Sequence, residues 1–323
     1  MTDRSDNFLQ GPLAGKLFWF AMPVAFTIIC EQFVNGTDVL VLGQFVGPEA
    51  MAAVGNDMPV LTLLISLLVG LSLGANVLLA QAVGGHKDSE AERILHTAVL
   101  ASILLGLIFA VIGELTTVPL LSLLGVPPEV QEDAALYLRI FYFSLPFLSL
   151  YNFEAALYRA MGDSRTPLFA LILAAAVNAV LDFAAAVLGF GLAGVIWATV
   201  FAYLVDAATL FILLMRRKGL HLLPRKLAIA PMQMKQMIRI GLPAGIQGMV
   251  FSISNLVVQA AINSLGADVM AASSAAYVIE INIYAFVNSF GQAATTFVGQ
   301  NFGALQLRRC FEVTKRDLYV GIG

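Results

Sequence analysis

Four polar residues interrupt an otherwise apolar stretch near the start of the chain. They are Glu31, Gln32, Asn35 and Asp38, and the stretch runs from about Leu17 to Leu42. Glu31, Asn35 and Asp38 stand at i, i+4 and i+7, so a helix places all three on one face. The stretch is long enough to cross a bilayer, since roughly 20 apolar residues at about 1.5 Å each cover the hydrocarbon core. A carboxylate in hydrocarbon is costly unless it faces protein or water, so this face is expected to look into a cavity. Acids held there could take up a proton or a cation. Asn178 and Asp182, spaced i, i+4, present a second polar face within another apolar stretch.

The elements that must position these residues follow from composition. The chain has 323 residues, 59% hydrophobic and only 12% charged, with a mean hydropathy of +0.85. A soluble domain is nearer one quarter charged, so the composition indicates an integral membrane protein. The two cysteines, Cys30 and Cys310, fall at different expected depths, and no disulfide is expected. The polar N-terminus, Met1 to Lys16, has no cleavable signal pattern.

Apolar helices are expected near residues 17–42, 58–82, 94–113, 134–158, 167–188, 191–215, 240–264 and 270–298, with a ninth beginning at about Asp317. Every Lys and Arg except Arg139 falls in alternate connections: the N-terminus, 82–97, 159–166, 215–239 and 300–317. The positive-inside rule then makes the N-terminus cytoplasmic. Residues 216–239 carry Arg216, Arg217, Lys218, Arg225, Lys226, Lys235 and Arg239 with no acid. This linker reads as a topological anchor touching anionic headgroups rather than a nucleic-acid site.

After the linker the sequence starts again. Gly47-Pro-Glu-Ala-Met51-Ala52-Ala53 recurs as Gly266-Ala-Asp-Val-Met270-Ala271-Ala272, an offset of 219 that also maps Gln81 onto Gln300 and Gly84 onto Gly303. Pro23 maps onto Pro243 at an offset of 220. Six spans separate the copies, so both begin on the same side, giving parallel repeats of a kind typical of transporters. The expected architecture is an all-α polytopic membrane protein. Residues 1–215 form an N-terminal lobe, 216–239 a basic cytoplasmic linker and 240–323 part of a C-terminal lobe. A complete second copy would need on the order of 110 further residues, so the chain reads as truncated.

Several motifs carry a family likeness. Thr37-Asp38-Val-Leu-Val-Leu-Gly43 precedes Met51-Ala-Ala-Val-Gly55, and Leu157-Tyr-Arg159-Ala-Met-Gly162-Asp163-Ser-Arg165-Thr-Pro167 forms a turn between expected helices. They are followed by Asn178-Ala-Val-Leu-Asp182, Gly241-Leu-Pro243 and Phe297-Val-Gly299-Gln300-Asn301-Phe-Gly303-Ala304. Together, and in register with the repeat, these resemble the bacterial multidrug and toxic compound extrusion (MATE) family over essentially the whole chain. The resemblance implies twelve helices in two six-helix lobes, eight complete here with the start of a ninth, around a cleft opening alternately to each side. It implies export of diverse, often cationic organic compounds in exchange for H+ or Na+ by a monomer in the bacterial cytoplasmic (inner) membrane, with no cofactor. The residues it assigns to coupling are Asp38, Asn178, Asp182 and Thr199, which would also hold Na+ in a sodium-coupled member. A glutamate expected about ten residues after Gly241-Leu-Pro243 is replaced by Phe251, which leaves no acid there for a second-lobe sodium site.

Depth counting supports the same grouping. Asp38, Asp182 and Thr199 lie four, six and eight residues from the outer ends of their spans, a shared layer roughly 6–12 Å deep, with Asn35 and Asn178 just beneath. Two carboxylates with amide and hydroxyl oxygens suit Na+; alternatively, burial and mutual repulsion favour a carboxyl that accepts a proton. The competing reading is that these groups only bind helices together. Glu31, Gln32 and Asn35 are candidate cavity residues. Glu280, with Asn282 and Asn288, is a candidate second-lobe patch. Glu154 and Asp206 are expected to pair with Arg159 or nearby polar groups. Gly70-x-x-x-Gly74 and Gly241-x-x-x-Gly245 are expected to allow close helix packing, and Pro23 to act as a fixed kink or a hinge.

Enzyme chemistry has no support. His86, His96 and His221 form no ligand-spaced set, no Gly-x-x-x-x-Gly-Lys-Ser/Thr phosphate loop occurs, and nothing pairs a nucleophile with a base. The main alternative is a flippase for lipid-linked oligosaccharide, which would line its cavity with basic residues to hold pyrophosphate. Arg139 alone among the spans is basic. A receptor or channel is disfavoured by the repeat and the paired acids.

Overall fold

The computed structural model describes residues 6–126, 128–263, 265 and 267–322. Arg4 of the basic N-terminus and Gly266 of the repeated Gly-Met-Ala-Ala motif lie outside the described residues. After a single turn at Asp6–Leu9, the helices are α1 (Leu13–Val41), α2 (Pro48–Gly84), α3 (Asp88–Leu123), α4 (Pro128–Tyr142), α5 (Leu145–Ala160), α6 (Arg165–Val187), α7 (Gly191–Arg216), α8 (Pro231–Asn263), α9 (Ala267–Gly303) and α10 (Leu307–Ile322). Among the described residues no strand forms. Six helices are long and apolar enough to cross a membrane, or seven when α4 and α5 count as one bent span. Large apolar side chains such as Trp19, Phe33, Leu115 and Val180 lie exposed on the bundle surface, as side chains facing lipid do.

Local chemistry sets the helix ends. The α1 helix begins after Pro12 in extended geometry and passes through a π-helical turn at Leu42–Val46. Gly47 then takes φ +127°, a conformation L side chains rarely adopt, and Pro48 opens α2. Between α5 and α6, Asp163 Oδ1 accepts from the backbone N–H groups of Arg165 and Thr166, both at 3.1 Å, while the Thr166 hydroxyl donates to Oδ2 at 2.8 Å. Asp163 therefore satisfies donors that the start of α6 would leave unpaired.

Three sequence expectations are refined. The fourth span is two helices meeting at 48°. Pro146 near the start of α5 supplies no N–H, and Ser144 donates its hydroxyl to the Phe141 carbonyl at 2.6 Å, so the chain breaks here. Much of residues 43–57 and 114–133 is helical rather than loop, because α2 starts at Pro48 and α3 continues to Leu123. The basic linker is fastened to α3: the Leu223 N–H donates to His96 Nε2 at 3.1 Å, the Ala230 N–H to the Thr97 hydroxyl at 3.1 Å, and Lys226 pairs with Glu92 at 2.9 Å.

The α2 helix is the spine of the bundle. Its Gly70 faces Gly245 of α8 and its Gly74 faces Met237 and Gly241, so closely that a Cβ at Gly70 would lie 2.1 Å from the Gly245 Cα. The two small-residue motifs do bring these helices together. At the other end of the same face, a Cβ at Gly84 would meet the Gln300 carbonyl at 1.9 Å and one at Gly303 the Gln81 carbonyl at 2.0 Å. Asn76 and Thr296 are 3.4 Å apart. Buried residues of α2, α3, α5 and α7 form one apolar core at the end that carries the basic segments. A second core gathers α2, α4, the start of α7 and Leu42 at the opposite end. The coupling candidates lie between helices that these cores hold.

Candidate functional site

The Thr199 hydroxyl of α7 donates to Asp38 Oδ2 of α1 at 3.2 Å, which links the two helices at this level. The Asp182 carboxyl and the Asn178 amide of α6 lie close enough to interact with the Asp38 carboxyl. Asp182 and Asn178 are fully buried, while Asp38 and Thr199 are half-buried. The structure thus brings together Asp38, Asp182 and Thr199, expected to share a layer, with Asn178, expected just beneath, while Asn35 is exposed. Their i, i+4 spacing turns Asn178 and Asp182 of α6 toward the same neighbour.

Among the described residues the Thr199 hydroxyl alone meets full hydrogen-bond geometry in the cluster, while Asn178 and Asp182 stand near Asp38 without doing so. Asp38 Oδ1, both oxygens of Asp182 and Asn178 Nδ2 are buried without a hydrogen-bond partner among the described residues. A buried ionised carboxylate needs a counter-charge or several donors, and Thr199 supplies one hydroxyl. An arrangement of this kind has capacity for a proton or a small cation. Among the described residues no group of three or more His, Cys, Asp or Glu is placed to hold a metal ion. Sodium here would rest on two carboxylates plus the neutral oxygens of Asn178 and Thr199, hard oxygen donors that suit it.

The remaining sequence candidates separate. Gln32 and Asn35 are exposed on α1. Glu31 is half-buried, within electrostatic reach of Arg159, Asp206, Tyr151 and Tyr203. Glu280 is exposed on α9 and is not drawn into the Asp38 group. On the same helix Asn288 donates to the Tyr284 hydroxyl at 3.2 Å and accepts from Gln292 at 2.7 Å. Phe251, standing where an acid was expected, stacks on Tyr284 with ring centroids 6.0 Å apart. Pro23 sits inside an unbroken α1, its carbonyl accepting the Thr27 hydroxyl at 2.9 Å. Cys30 and Cys310 are free, as expected.

Two expectations need correction. Glu154 and Asp206, expected to pair with Arg159 or nearby polar groups, form no ion pair with Arg159 within 4.0 Å among the described residues. Both Glu154 oxygens and Asp206 Oδ1 find no hydrogen-bond partner there. The two residues are almost wholly inaccessible, at 0% and 1%. Asp57, expected in an outer connection, lies inside α2 with its side chain buried and neither oxygen partnered among the described residues. It lies within electrostatic reach of Tyr137, as does Asp38. The signal for it was the sequence Asn56-Asp57-Met-Pro59, whose polarity looks like a turn but whose helix continues through Pro59.

Helices long and apolar enough to cross a membrane, with a group of buried acids among them, define a polytopic membrane protein. The MatE family model matches residues 23–184 and 243–323, and the chain belongs to that family of membrane transporters. The chain is similar to the probable multidrug resistance protein YoeA of Bacillus subtilis, 28% identical over 316 residues covering 93% of this chain and 67% of that protein. It is also similar to a FAD transporter of Shewanella oneidensis, 25% identical over 96% of this chain and 69% of that protein. Among solved structures, it resembles MATE in the bent conformation with a TM-score of 0.90 at 22% identity, covering 99% of this chain and 72% of that one. A MOP superfamily transporter from Pyrococcus furiosus matches equally, with a TM-score of 0.90 at 22% identity and the same coverage. These structural likenesses establish the fold. The chain spans about two thirds of the length of such relatives.

Proposed function

We propose that the protein is a secondary active exporter that exchanges organic, often cationic, compounds for H+ or Na+ by alternating access. The observation that carries this is the group of Asp38, Asp182, Asn178 and Thr199. One negative site that a proton, a sodium ion or a cationic compound can each neutralise makes the ligands mutually exclusive, and exclusion across two access states is antiport. The multidrug resistance relatives support the substrate class.

The two-lobe architecture is part of the same proposal. Residues 1–215 form the N-terminal lobe and 240–323 part of a parallel repeat, twelve spans in the full-length protein, joined by the basic linker. The reciprocal approach of Gly84 to Gln300 and of Gly303 to Gln81 supports this. A two-fold axis places residue i of one copy against j of the other and j against i. The protein works as a monomer in the bacterial cytoplasmic (inner) membrane with its N-terminus and linker cytoplasmic, consistent with the basic segments and with bacterial relatives. The flippase alternative is weakened because Arg139, the basic residue expected within a span, is already paired with Glu114 at 3.2 Å.

The test uses everted vesicles carrying the full-length protein under an inward H+ gradient. Adding ethidium should release protons in wild type and not in Asp38→Asn. No release with H+, and no ethidium-coupled flux after a Na+ gradient is substituted, would remove antiport and leave the flippase reading first.

A further inference from the structure

Below the coupling group lies a second set of buried acids that antiport at Asp38 does not use. Asp38 and Thr199 are hydrogen-bonded, and α1 and α7 run in opposite directions in the reading above. Seven residues back along α1 is Glu31, and seven onward along α7 is Asp206. Two helical turns place both about 10 Å toward the end that carries the basic segments, on the same helix faces as Asp38 and Thr199. Tyr203 stands between, one turn past Thr199, within electrostatic reach of Asp38 above and of Glu31 and Asp206 below.

Glu154 on α5 completes the set. Its side chain is 0% accessible and both carboxyl oxygens lack a hydrogen-bond partner among the described residues. Asp206 is 1% accessible with Oδ1 unpartnered, and the Tyr151 hydroxyl is buried and unpartnered as well. Glu154 interacts with Asp206, and Asp206 with Glu31. Arg159, the nearby cation, interacts with Glu31 and Tyr151 but forms no ion pair within 4.0 Å of any of these acids among the described residues. Acids that served only to bind helices would pair these oxygens with donors, because an unpaired buried polar atom is costly. Acids left in this state are groups that carry protons.

We infer that Glu31, Asp206 and Glu154 form a second proton-binding site, through which the proton taken up at Asp38 and Asp182 leaves toward the cytoplasm. The inference rests on the antiport reading above, with H+ as the coupling ion. In the transfer, Asp206 first gives up its own proton toward the cytoplasm and is left ionised. The proton of the Asp38 carboxylic acid then crosses about 10 Å along water beside Tyr203 and protonates Asp206. Asp38 is left ionised for the next cationic compound, Tyr203 is unchanged, and the proton passes through Glu154 to water beyond α5. Atoms and charge balance with no further reactant. Glu31 and Arg159 set the potential of the lower site from α1 and α5.

The experiment compares wild-type full-length protein with Asp206→Asn/Glu154→Gln and with Asp206→Glu in proteoliposomes. Proton-coupled ethidium transport and equilibrium ethidium binding are both measured. The amide substitutions add no charge to the buried site, and retained ethidium binding shows that the site above has folded. Transport is expected to fall about tenfold or more in the double variant, with ethidium affinity and its pH dependence unchanged and transport largely restored in Asp206→Glu. Wild-type transport rates in the double variant would overturn the proposal. So would an affinity loss that parallels the transport loss, which would mark the cluster as structural. Should wild type itself show no proton-coupled transport, the antiport reading fails first and the relay with it.

Discussion

Replacing Gly70 by Ala tests how tightly α2 and α8 are joined. The new Cβ would sit 2.1 Å from the Cα and N of Gly245 and 2.7 Å from the Ala244 carbonyl carbon. Carbon atoms rest about 3.5–4.0 Å apart, so the helices must part by about 1.5 Å where they cross. Backbone lines the other side, so no rotamer change relieves the clash. Overpacking of this kind costs about 1–3 kcal/mol, and rigid neighbours favour the upper end. At about 2–4 °C per kcal/mol, the melting temperature falls by roughly 6–12 °C. Gly245→Ala should lose less, because its Cβ meets the flexible Leu67 Cδ1 at 2.8 Å and the Leu67 carbonyl at 3.0 Å. Gly291→Ala, with nothing within 4 Å, should melt at or above wild type, since alanine favours helix over glycine. The assay is thermal melting of detergent-purified full-length protein followed by size-exclusion chromatography. A Gly70→Ala protein that melts with the wild type, or below which Gly291→Ala falls, would refute the close-packed crossing.

Two further outcomes follow from the same geometry. Thr199→Val removes the one hydroxyl that donates to Asp38 at nearly constant volume. It should weaken ethidium-coupled transport by about tenfold or less, with Thr199→Ser restoring it; a Ser variant as impaired as Val would mean that shape matters there rather than the hydrogen bond. Lys226→Ala breaks an exposed pair with Glu92 that solvent and salt screen. Melting temperature and transport should not change measurably at physiological ionic strength, and a clear loss there would show that the linker depends on this pair.

The grouping of Asp38, Asn178, Asp182 and Thr199 was legible because helix rise and alternating direction convert sequence position into depth. The glycine pairs were legible for the same reason: four-residue spacing lines them along one face. What stayed hidden depended on tertiary packing. The bend at Ser144 lies inside a run that reads as one apolar span, and Pro146 is the trace it leaves in the sequence. Asp57 looks like loop because polarity and Pro59 end the apolar run, whereas the helix continues through it and buries it within electrostatic reach of Tyr137 and Tyr142 of α4. Glu154 and Asp206 looked like partners for Arg159 because the sequence shows which charges share an end of the bundle, but not which side chains meet.

The central claim, taking H+ as the coupling ion, is that a proton and a cationic compound compete for the Asp38 group. The most direct measurement is the equilibrium affinity of purified full-length protein for ethidium as a function of pH, in wild type and Asp38→Asn. Competition by one proton predicts that wild-type affinity rises with pH, with a limiting slope of about one decade per pH unit, and that the dependence disappears in the variant. An affinity independent of pH in wild type, or a dependence that survives in Asp38→Asn, would contradict the account.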